Sequence, residues 1–188
     1  MLTHQALICH PSNQKAPVNG IHVTLHYEPQ GDLLIHYELT GSIDQIKIPA
    51  LQPSEPVDGL WAHTCFELFI AVNDEDGYYE FNFSPSTQWA AYAFSDYRVR
   101  KTDWHLTHAP IIDVTQTPTH LHLNVRIATA DLPVLKSKLL TSNSSIQLGL
   151  TAVIETNTGQ HTYWALKHPE DQPNFHHRAG FISLSNLN

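Results

Sequence analysis

Acidic and amide side chains stand among aromatic residues in the stretch from Leu60 to Arg100. Glu67 lies within LWAHTCFELFIAV, while Glu80, Asn82 and Ser84 lie within the following YYEFNFS. Because successive side chains of a strand point to opposite faces, the last three residues share one face, and aromatic residues occupy the other. Carboxylates and amides form directional hydrogen bonds with vicinal hydroxyl groups, and two carboxylates are also the minimum for glycoside hydrolysis.

The loop around Asp74 to Gly77 decides whether these polar groups meet. An odd number of loop residues places Glu67 on the face of the phenylalanines, whereas an even number places it beside Glu80 and Asn82. An unpaired carboxylate buried among phenyl rings costs several kcal/mol. The sequence therefore predicts the even register and one polar face.

Nearby arginines offer two readings of the acidic pair. The polar groups together with Arg98 form a candidate ligand-binding face. Alternatively, Arg98, Arg100 or Arg126 neutralises the two carboxylates inside the sheet. The residues alone leave both readings open.

Three tryptophans are candidates to stack on the apolar side of a sugar ring. Trp61, Trp89 and Trp164 fall in or near the predicted strands, and an indole N–H can still bond a hydroxyl group. Tryptophans of a β-sandwich also fill its core. Each tryptophan is therefore either a binding platform or a core residue.

Histidines are concentrated near the C-terminus, in LKHPEDQPNFHHR. His168, His176 and His177 either form a rim over the binding face or fix the shape of a crossover loop by bonding its backbone. No metal site is predicted here or on the strands, because the histidine pairs lack Asp or Cys at ligand spacing.

Short alternating segments separated by turns dominate the chain. They predict hairpins from HVTLHYE with LLIHYEL and from IQLGLTAVIE with HTYWAL, a half-buried strand HLHLNVRIA, and a short helix in DLPVLKSKLL beginning at Asp131. The pattern indicates an all-β fold: an antiparallel β-sandwich, jelly-roll-like, with little helix. The 188 residues are expected to form a single domain, 1–188.

The charge and cysteine content of the sequence bear on which classes of partner and which covalent cross-links are expected. The net charge is −8 with neutral histidines and no long basic block occurs, so neither nucleic acid nor an anionic membrane is an expected partner. Cys9 and Cys65 are the only cysteines and predict no disulfide framework. The N-terminus lacks the features of a secretion signal, and a cytoplasmic location is expected. The oligomeric state stays open.

Longer motifs carry a family resemblance. The segments LWAHTCFELFI, YYEFNFSPSTQWAAYAFSDYR, LGLTAVIE and YWALKHPEDQPNFHHRAGF resemble bacterial DOMON-like proteins related to the family 9 carbohydrate-binding modules. The resemblance extends from about Gly20 onward. It implies a ligand-binding β-sandwich with sugar or haem as the usual ligand class.

Haem is the weaker of these two ligand classes. Haem-binding members of the wider superfamily use Met and His ligands, but this chain has only Met1 and no CxxCH motif. No cofactor is therefore expected. We predict non-catalytic binding of a carbohydrate or similar polyol on the polar face; the alternatives are a glycoside-processing enzyme using Glu67 and Glu80, a haem-binding protein, or a protein-interaction module.

Overall fold

The fold is built from antiparallel β-strands. The computed structural model describes residues 2–13, 17–27, 32–132 and 146–183, and these ranges contain twelve strands, short 3₁₀ turns and no α-helix. The strands are β1 Leu2–Cys9, β2 Val18–Tyr27, β3 Leu33–Gly41, β4 Cys65–Val72, β5 Tyr78–Phe83, β6 Trp89–Asp96, β7 Val99–Lys101, β8 Ile111–Gln116, β9 His120–Ile127, β10 Ile146–Glu155, β11 His161–Ala165 and β12 Ile182–Ser183.

The strands form two layers that share β1. One layer, sheet A, has the order β1-β2-β3-β9-β8, and the other, sheet B, has the order β7-β6-β5-β4-β10-β11, with β12 beside the start of β10. The first part of β1 pairs with β2, whereas Ile8 and Cys9 pair with β11. The predicted antiparallel β-sandwich is confirmed.

The main core lies between the two layers. Every second residue of β3 is buried, including Ile35, Tyr37 and Leu39, and Phe66 and Leu68 of β4 face them from sheet B. The Tyr37 ring lies 5.1 Å from that of Phe66, and its hydroxyl donates to the Glu67 carbonyl at 2.8 Å. This bond satisfies the one polar group that Tyr37 brings into the core.

Sheet B also buries part of its outer face, where residues 57–62 and 175–181 cover it. Phe69 packs there against Phe181, with ring centroids 5.6 Å apart. A Cβ atom on Gly149 of β10 would lie 2.8 Å from the Phe181 ring, so only glycine leaves room for that ring. Arg178 fixes the same segment by donating to the Val72 carbonyl and the Gln147 side chain, each at 2.7 Å.

The predicted hairpins are both present. β2 pairs with β3, although its turn at 28–31 lies outside the described residues, and β10 pairs with β11 around the turn that follows Glu155. The predicted helix DLPVLKSKLL lies outside the described residues except for Asp131 and Leu132, and Asp131 ends a 3₁₀ turn, Thr129–Asp131. Within the described ranges, no helix has the length and apolarity needed to cross a membrane.

We expect Gly149→Ala to destabilise the protein by about 1–3 kcal/mol, because the added methyl group overlaps the Phe181 ring and the rigid Phe69 Cβ lies beside it at 3.2 Å. Thermal denaturation measures the change. Gly20→Ala is the control, since its Cβ would meet no atom closer than 3.7 Å. Equal melting temperatures for the two variants would contradict the packing described for Phe181.

Candidate functional site

A cavity of about 420 Å³ opens on the outer face of sheet B. Its floor is formed by side chains of β4, β5, β6, β10 and β11, and the segment 173–176 closes one side. The lining residues are Trp61, Glu67, Phe69, Glu80, Tyr92, Phe94, Arg98, Arg100, Val153, Tyr163, Pro173, Phe175 and His176.

The register between β4 and β5 brings the two acids to this floor. Ala71 pairs with Tyr78, so six residues, 72–77, lie between them, and Glu67 pairs directly with Asn82 while Phe69 pairs with Glu80. The even register predicted from the sequence is confirmed. Glu67 and Glu80 are 2% and 5% exposed, so both carboxyl groups are almost fully removed from bulk water.

Neutral hydrogen-bond donors hold the two carboxyl groups. Thr151 on β10 donates its hydroxyl to Glu67 Oε2 at 2.9 Å, and Asn82 Nδ2 donates to Glu80 Oε1 at 2.6 Å. The Cys65 thiol donates to the Asn82 side-chain oxygen at 3.6 Å, which orients the amide NH₂ group toward Glu80. Neither acid depends on an arginine for its position.

The arginines do not neutralise the acids by direct contact. Among the described residues, Arg100 pairs with Asp58 at 3.6 Å and Arg126 pairs with Asp32 at 3.8 Å, on the other sheet. One alternative predicted from the sequence was that arginines neutralise Glu67 and Glu80 inside the sheet. The structure shows no such ion pair among the described residues.

Burial dominates the protonation of the floor. It raises the pKa of the Glu67 carboxyl, the Glu80 charge raises it further, and the Thr151 hydrogen bond only partly opposes the rise. Burial also raises the pKa of Glu80, although the bond from Asn82 and the charges of Arg98 and Arg100 lower it. The floor therefore retains protons at pH values where exposed carboxyl groups have lost them.

His176 extends the polar floor toward the rim. Its Nδ1 lies 2.7 Å from the Tyr78 hydroxyl, and that hydroxyl accepts from the Arg98 backbone N–H at 3.0 Å. Its Nε2 lies 3.6 Å from Glu80 Oε2. Burial, reinforced by the Arg98 charge, lowers the pKa of His176 to about 4, so the imidazole is neutral at pH 7 and the contact with Glu80 is not an ion pair.

Aromatic rings form the walls. Trp61 is 45% exposed, and its ring lies edge-on to Tyr92 at 6.0 Å. Phe94 stacks on Tyr78 with centroids 4.6 Å apart. The Tyr92 hydroxyl donates to Asp58, which fixes the ring. One wall therefore presents an accessible indole beside rings that packing holds in place.

The segment 168–176, whose last part closes one side of the cavity, is hydrogen-bonded to the sandwich at several points. His168 Nε2 donates to the Ile8 carbonyl at 2.8 Å, and His10 Nε2 lies 3.1 Å from the Glu170 carbonyl. Asn174 Nδ2 donates to the Tyr97 hydroxyl at 2.8 Å. These contacts connect the segment to the N-terminal strand and to the turn after β6, so it forms a fixed wall.

The structure brings five of the ten predicted ligand-binding residues to the cavity: Trp61, Glu67, Glu80, Arg98 and His176. Asn82 shares the face and donates to Glu80, but it is fully buried and does not line the cavity. Ser84, which the sequence placed on the same polar face, accepts from Ser86 in the next turn at 2.8 Å.

The other two histidines, His168 and His177, form hydrogen bonds with backbone groups, which is the alternative that the sequence offered for this loop. His168 binds the Ile8 carbonyl, and His177 Nδ1 accepts from the Ala179 N–H at 3.2 Å, capping a 3₁₀ turn. Neither lines the cavity, so the two histidines are not among the residues through which we propose that a ligand binds.

Trp89 and Trp164 also require correction, because both belong to the core between the sheets. Trp89 pairs with Phe83 and Trp164 pairs with Ala152, and both partners are core residues. Strand alternation turns the two indoles inward, away from the cavity. They are core residues and not sugar-stacking platforms.

Several lining residues were missed by the sequence analysis. Tyr92 and Phe94 of β6 alternate with inward-facing residues and pair with Glu80 and Tyr78, so correct pairing of β6 with β5 would have found them. Tyr163 directly precedes the inward-facing Trp164 on β11, so its side chain points to the outer face of the sheet. Phe175 lies in the loop that the histidines marked, but no periodicity signals its position.

Metal ligands do not converge in the described ranges: they contain no group of three or more His, Cys, Asp or Glu side chains placed to hold an ion. The only histidine of the cavity already has one ring nitrogen against Tyr78.

Comparisons with known proteins identify the fold. No protein-family model matches the chain, and no functionally curated protein matches it either. Among solved structures, a proposed carbohydrate-binding protein from Bacteroides uniformis ATCC 8492 is similar, with 14% sequence identity, a TM-score of 0.65, and coverage of 96% of this chain and 84% of that one.

A family 9 carbohydrate-binding module from Caldicellulosiruptor kristjanssonii is also similar. Its complex with cellotriose has 10% identity and a TM-score of 0.51 over 93% of this chain and 76% of that one. Its glucose complex has 10% identity and a TM-score of 0.51 over 92% and 78%. The chain therefore shares its β-sandwich fold with these proteins.

Proposed function

We propose that the protein binds a carbohydrate or similar polyol, without catalysis, in the cavity on the outer face of sheet B. The observation that carries the proposal is the combination of a buried carboxyl floor with an accessible aromatic wall. The volume of about 420 Å³ lies in the range of small-ligand sites. The solved structures with this fold include modules complexed with glucose and cellotriose, which supports the same ligand class.

The floor supplies both kinds of hydrogen-bonding group that a sugar needs. A protonated carboxyl group donates from one oxygen and accepts at the other, and a sugar hydroxyl also does both. Glu67 and Glu80 are held by Thr151 and Asn82, so their remaining lone pairs and protons face the ligand in a fixed arrangement. Trp61 provides the apolar surface for the C–H face of the ring.

The environments of the two acids favour binding over hydrolysis. Catalytic carboxyl pairs are usually separated into an acid and a base by surroundings that push their pKa values apart. Here burial raises the pKa of both groups. Incubation with chromogenic glycosides tests the enzyme alternative, and turnover that Glu67→Gln abolishes would overturn the assignment as a binding protein.

We expect Trp61→Ala to weaken sugar binding about 5- to 50-fold, because the variant removes the accessible ring while the protein stays folded. A panel of mono- and oligosaccharides is titrated by calorimetry and by intrinsic fluorescence. Ile111→Ala is the control, since Ile111 is 59% exposed on the edge strand of the other sheet. If no sugar binds, or if Trp61→Ala binds as tightly as the native chain, the proposed site is wrong.

Protonation of the floor also predicts a pH dependence of stability. A carboxyl group whose pKa is higher in the folded chain contributes stability that is complete below the ordinary carboxyl pKa and is lost as the pH rises. His176 acts oppositely: its lowered pKa contributes stability that is complete above pH 6.5 and is lost as the pH falls toward about 4. Burial also raises the pKa values of the Cys9 and Cys65 thiols, which lower the stability as the pH approaches 9. Measurements between about pH 6.5 and 8 therefore report mainly on the carboxyl groups.

From the lower to the higher end of that range, the free energy of unfolding of Glu67→Gln should rise by about 1–3 kcal/mol relative to that of the native chain. The reason is that glutamine cannot ionise, while its side-chain oxygen still accepts from Thr151. Urea denaturation at a series of pH values measures this difference. Glu55→Gln, at an exposed position, is the control and should follow the native chain. Parallel curves for the native chain and Glu67→Gln would contradict the raised pKa of the floor.

A further inference from the structure

The cavity is lined by positively charged side chains, although the chain as a whole is acidic. The net charge of the protein is −8, yet both basic residues of the lining, Arg98 and Arg100, stand on one side of the cavity. The acids of the floor are buried and have raised pKa values, and His176 is neutral at pH 7. Asp58 pairs with Arg100, so Arg98 carries the positive charge of the rim that no ion pair of the described residues offsets, beside a floor of reduced negative charge.

The turn between β6 and β7 presents Arg98 in an uncommon backbone conformation. Its φ is 57°, in the left-handed region, which costs an L-residue other than glycine roughly 1–2 kcal/mol. Asp96 Oδ1 accepts from the Tyr97 N–H at 2.6 Å, and the Arg98 N–H donates to Tyr78, so the turn is held from both sides. Strain of this kind persists where surrounding contacts fix it, and it clusters at ligand sites.

The guanidinium of Arg98 is oriented but not neutralised. Its Nη2 donates to Asn174 Oδ1 and its Nε donates to the Tyr97 hydroxyl, each at 3.3 Å. Among the described residues, no carboxylate lies within ion-pair distance of it. A guanidinium has five N–H donors, so two such bonds leave capacity for an anion.

Arg100 shows that this rim already accommodates a carboxylate. The guanidinium stacks on the Tyr92 ring at 3.8 Å and lies 3.6 Å from Asp58 Oδ1, the oxygen to which Tyr92 also donates. Both members of this ion pair are at least half exposed, so the pair is weak and open to competition. A phenol and a guanidinium thus converge on one carboxylate oxygen at the edge of the cavity.

We propose that the ligand is a sugar acid, whose carboxylate binds Arg98 at the rim while its hydroxyl groups bind Glu67 and Glu80 and its ring packs against Trp61. This inference rests on the proposed function and narrows it. A planar carboxylate matches the fork of a guanidinium, and two parallel hydrogen bonds would fix the ring in one orientation. A neutral sugar would leave the Arg98 charge without a partner.

The test compares matched pairs of ligands at pH 7: glucose with glucuronate, and galactose with galacturonate, with glucose 6-phosphate as a separate arm. We expect at least one uronate to bind at least about tenfold more tightly than its neutral partner. Raising the salt to about 0.5 M should weaken uronate binding and leave neutral-sugar binding unchanged. Calorimetry measures all the affinities.

Variants at position 98 identify the group responsible. Arg98→Gly suits the left-handed backbone, so the chain should fold at least as stably while the preference for the uronate is lost. Arg98→Lys should keep part of the preference, because the charge remains without the planar fork. Arg126→Gln, on the other sheet, is the control and should bind as the native chain does.

The outcomes separate this inference from the proposed function. Neutral sugars that bind as tightly as uronates would overturn the sugar-acid assignment and leave carbohydrate binding standing. Tighter binding of glucose 6-phosphate than of any uronate would show that the ligand is an anionic sugar but not a sugar acid, and the proposal of a carboxylate on Arg98 would be wrong. If neither neutral nor acidic sugars bind, the proposed function itself is wrong.

Discussion

The pairing of β4 with β5 determines what both faces of sheet B present. With six residues between the last paired positions, Glu67 and Asn82 meet on the outer face while Phe66 and Phe83 meet in the core. A slip of one residue would exchange these faces and bury the acid among the core phenyl rings, at a cost of several kcal/mol. The same constraint that protects the core therefore assembles the acidic floor of the cavity.

Covering the outer face of sheet B changes the chemistry of that floor. An uncovered sheet would leave Glu67 and Glu80 in water as ordinary carboxylates, whereas the packing of Phe69 and Phe181 and the wall around His176 remove most of that water. Desolvation then favours the protonated forms, and the neighbouring acids reinforce this by repelling each other. Burial thus converts two anionic groups into a floor that can both donate and accept hydrogen bonds.

Local alternation predicts much of this fold but only part of the site. The hairpins from Val18–Tyr27 with Leu33–Gly41 and from β10 with β11 follow from period-2 patterns, and the shared face of the acids follows from adding the cost of burying charge. Trp89 and Trp164 show the limit, because an indole side chain occurs both in the core of a β-sandwich and on sugar-binding surfaces. Only their pairing partners, Phe83 and Ala152, decide between the two. Phe175 comes from a segment whose position depends on tertiary contacts, so no local pattern reveals it.

Contacts with the sandwich fix the segment 168–176 beside Arg98. His168 ties its beginning to Ile8, Asn174 ties its middle to Tyr97, and His176 ties its end to Tyr78. The entropy of ordering this segment is therefore lost during folding, and the proposed ligand would not have to order the segment on binding. Because Tyr78 also accepts from the strained Arg98 backbone, its hydroxyl joins the wall to the rim, as Asn174 does by accepting from the Arg98 side chain. A change at Tyr78 would disturb both sides of the cavity together, whereas a change at Trp61 would alter only its accessible wall.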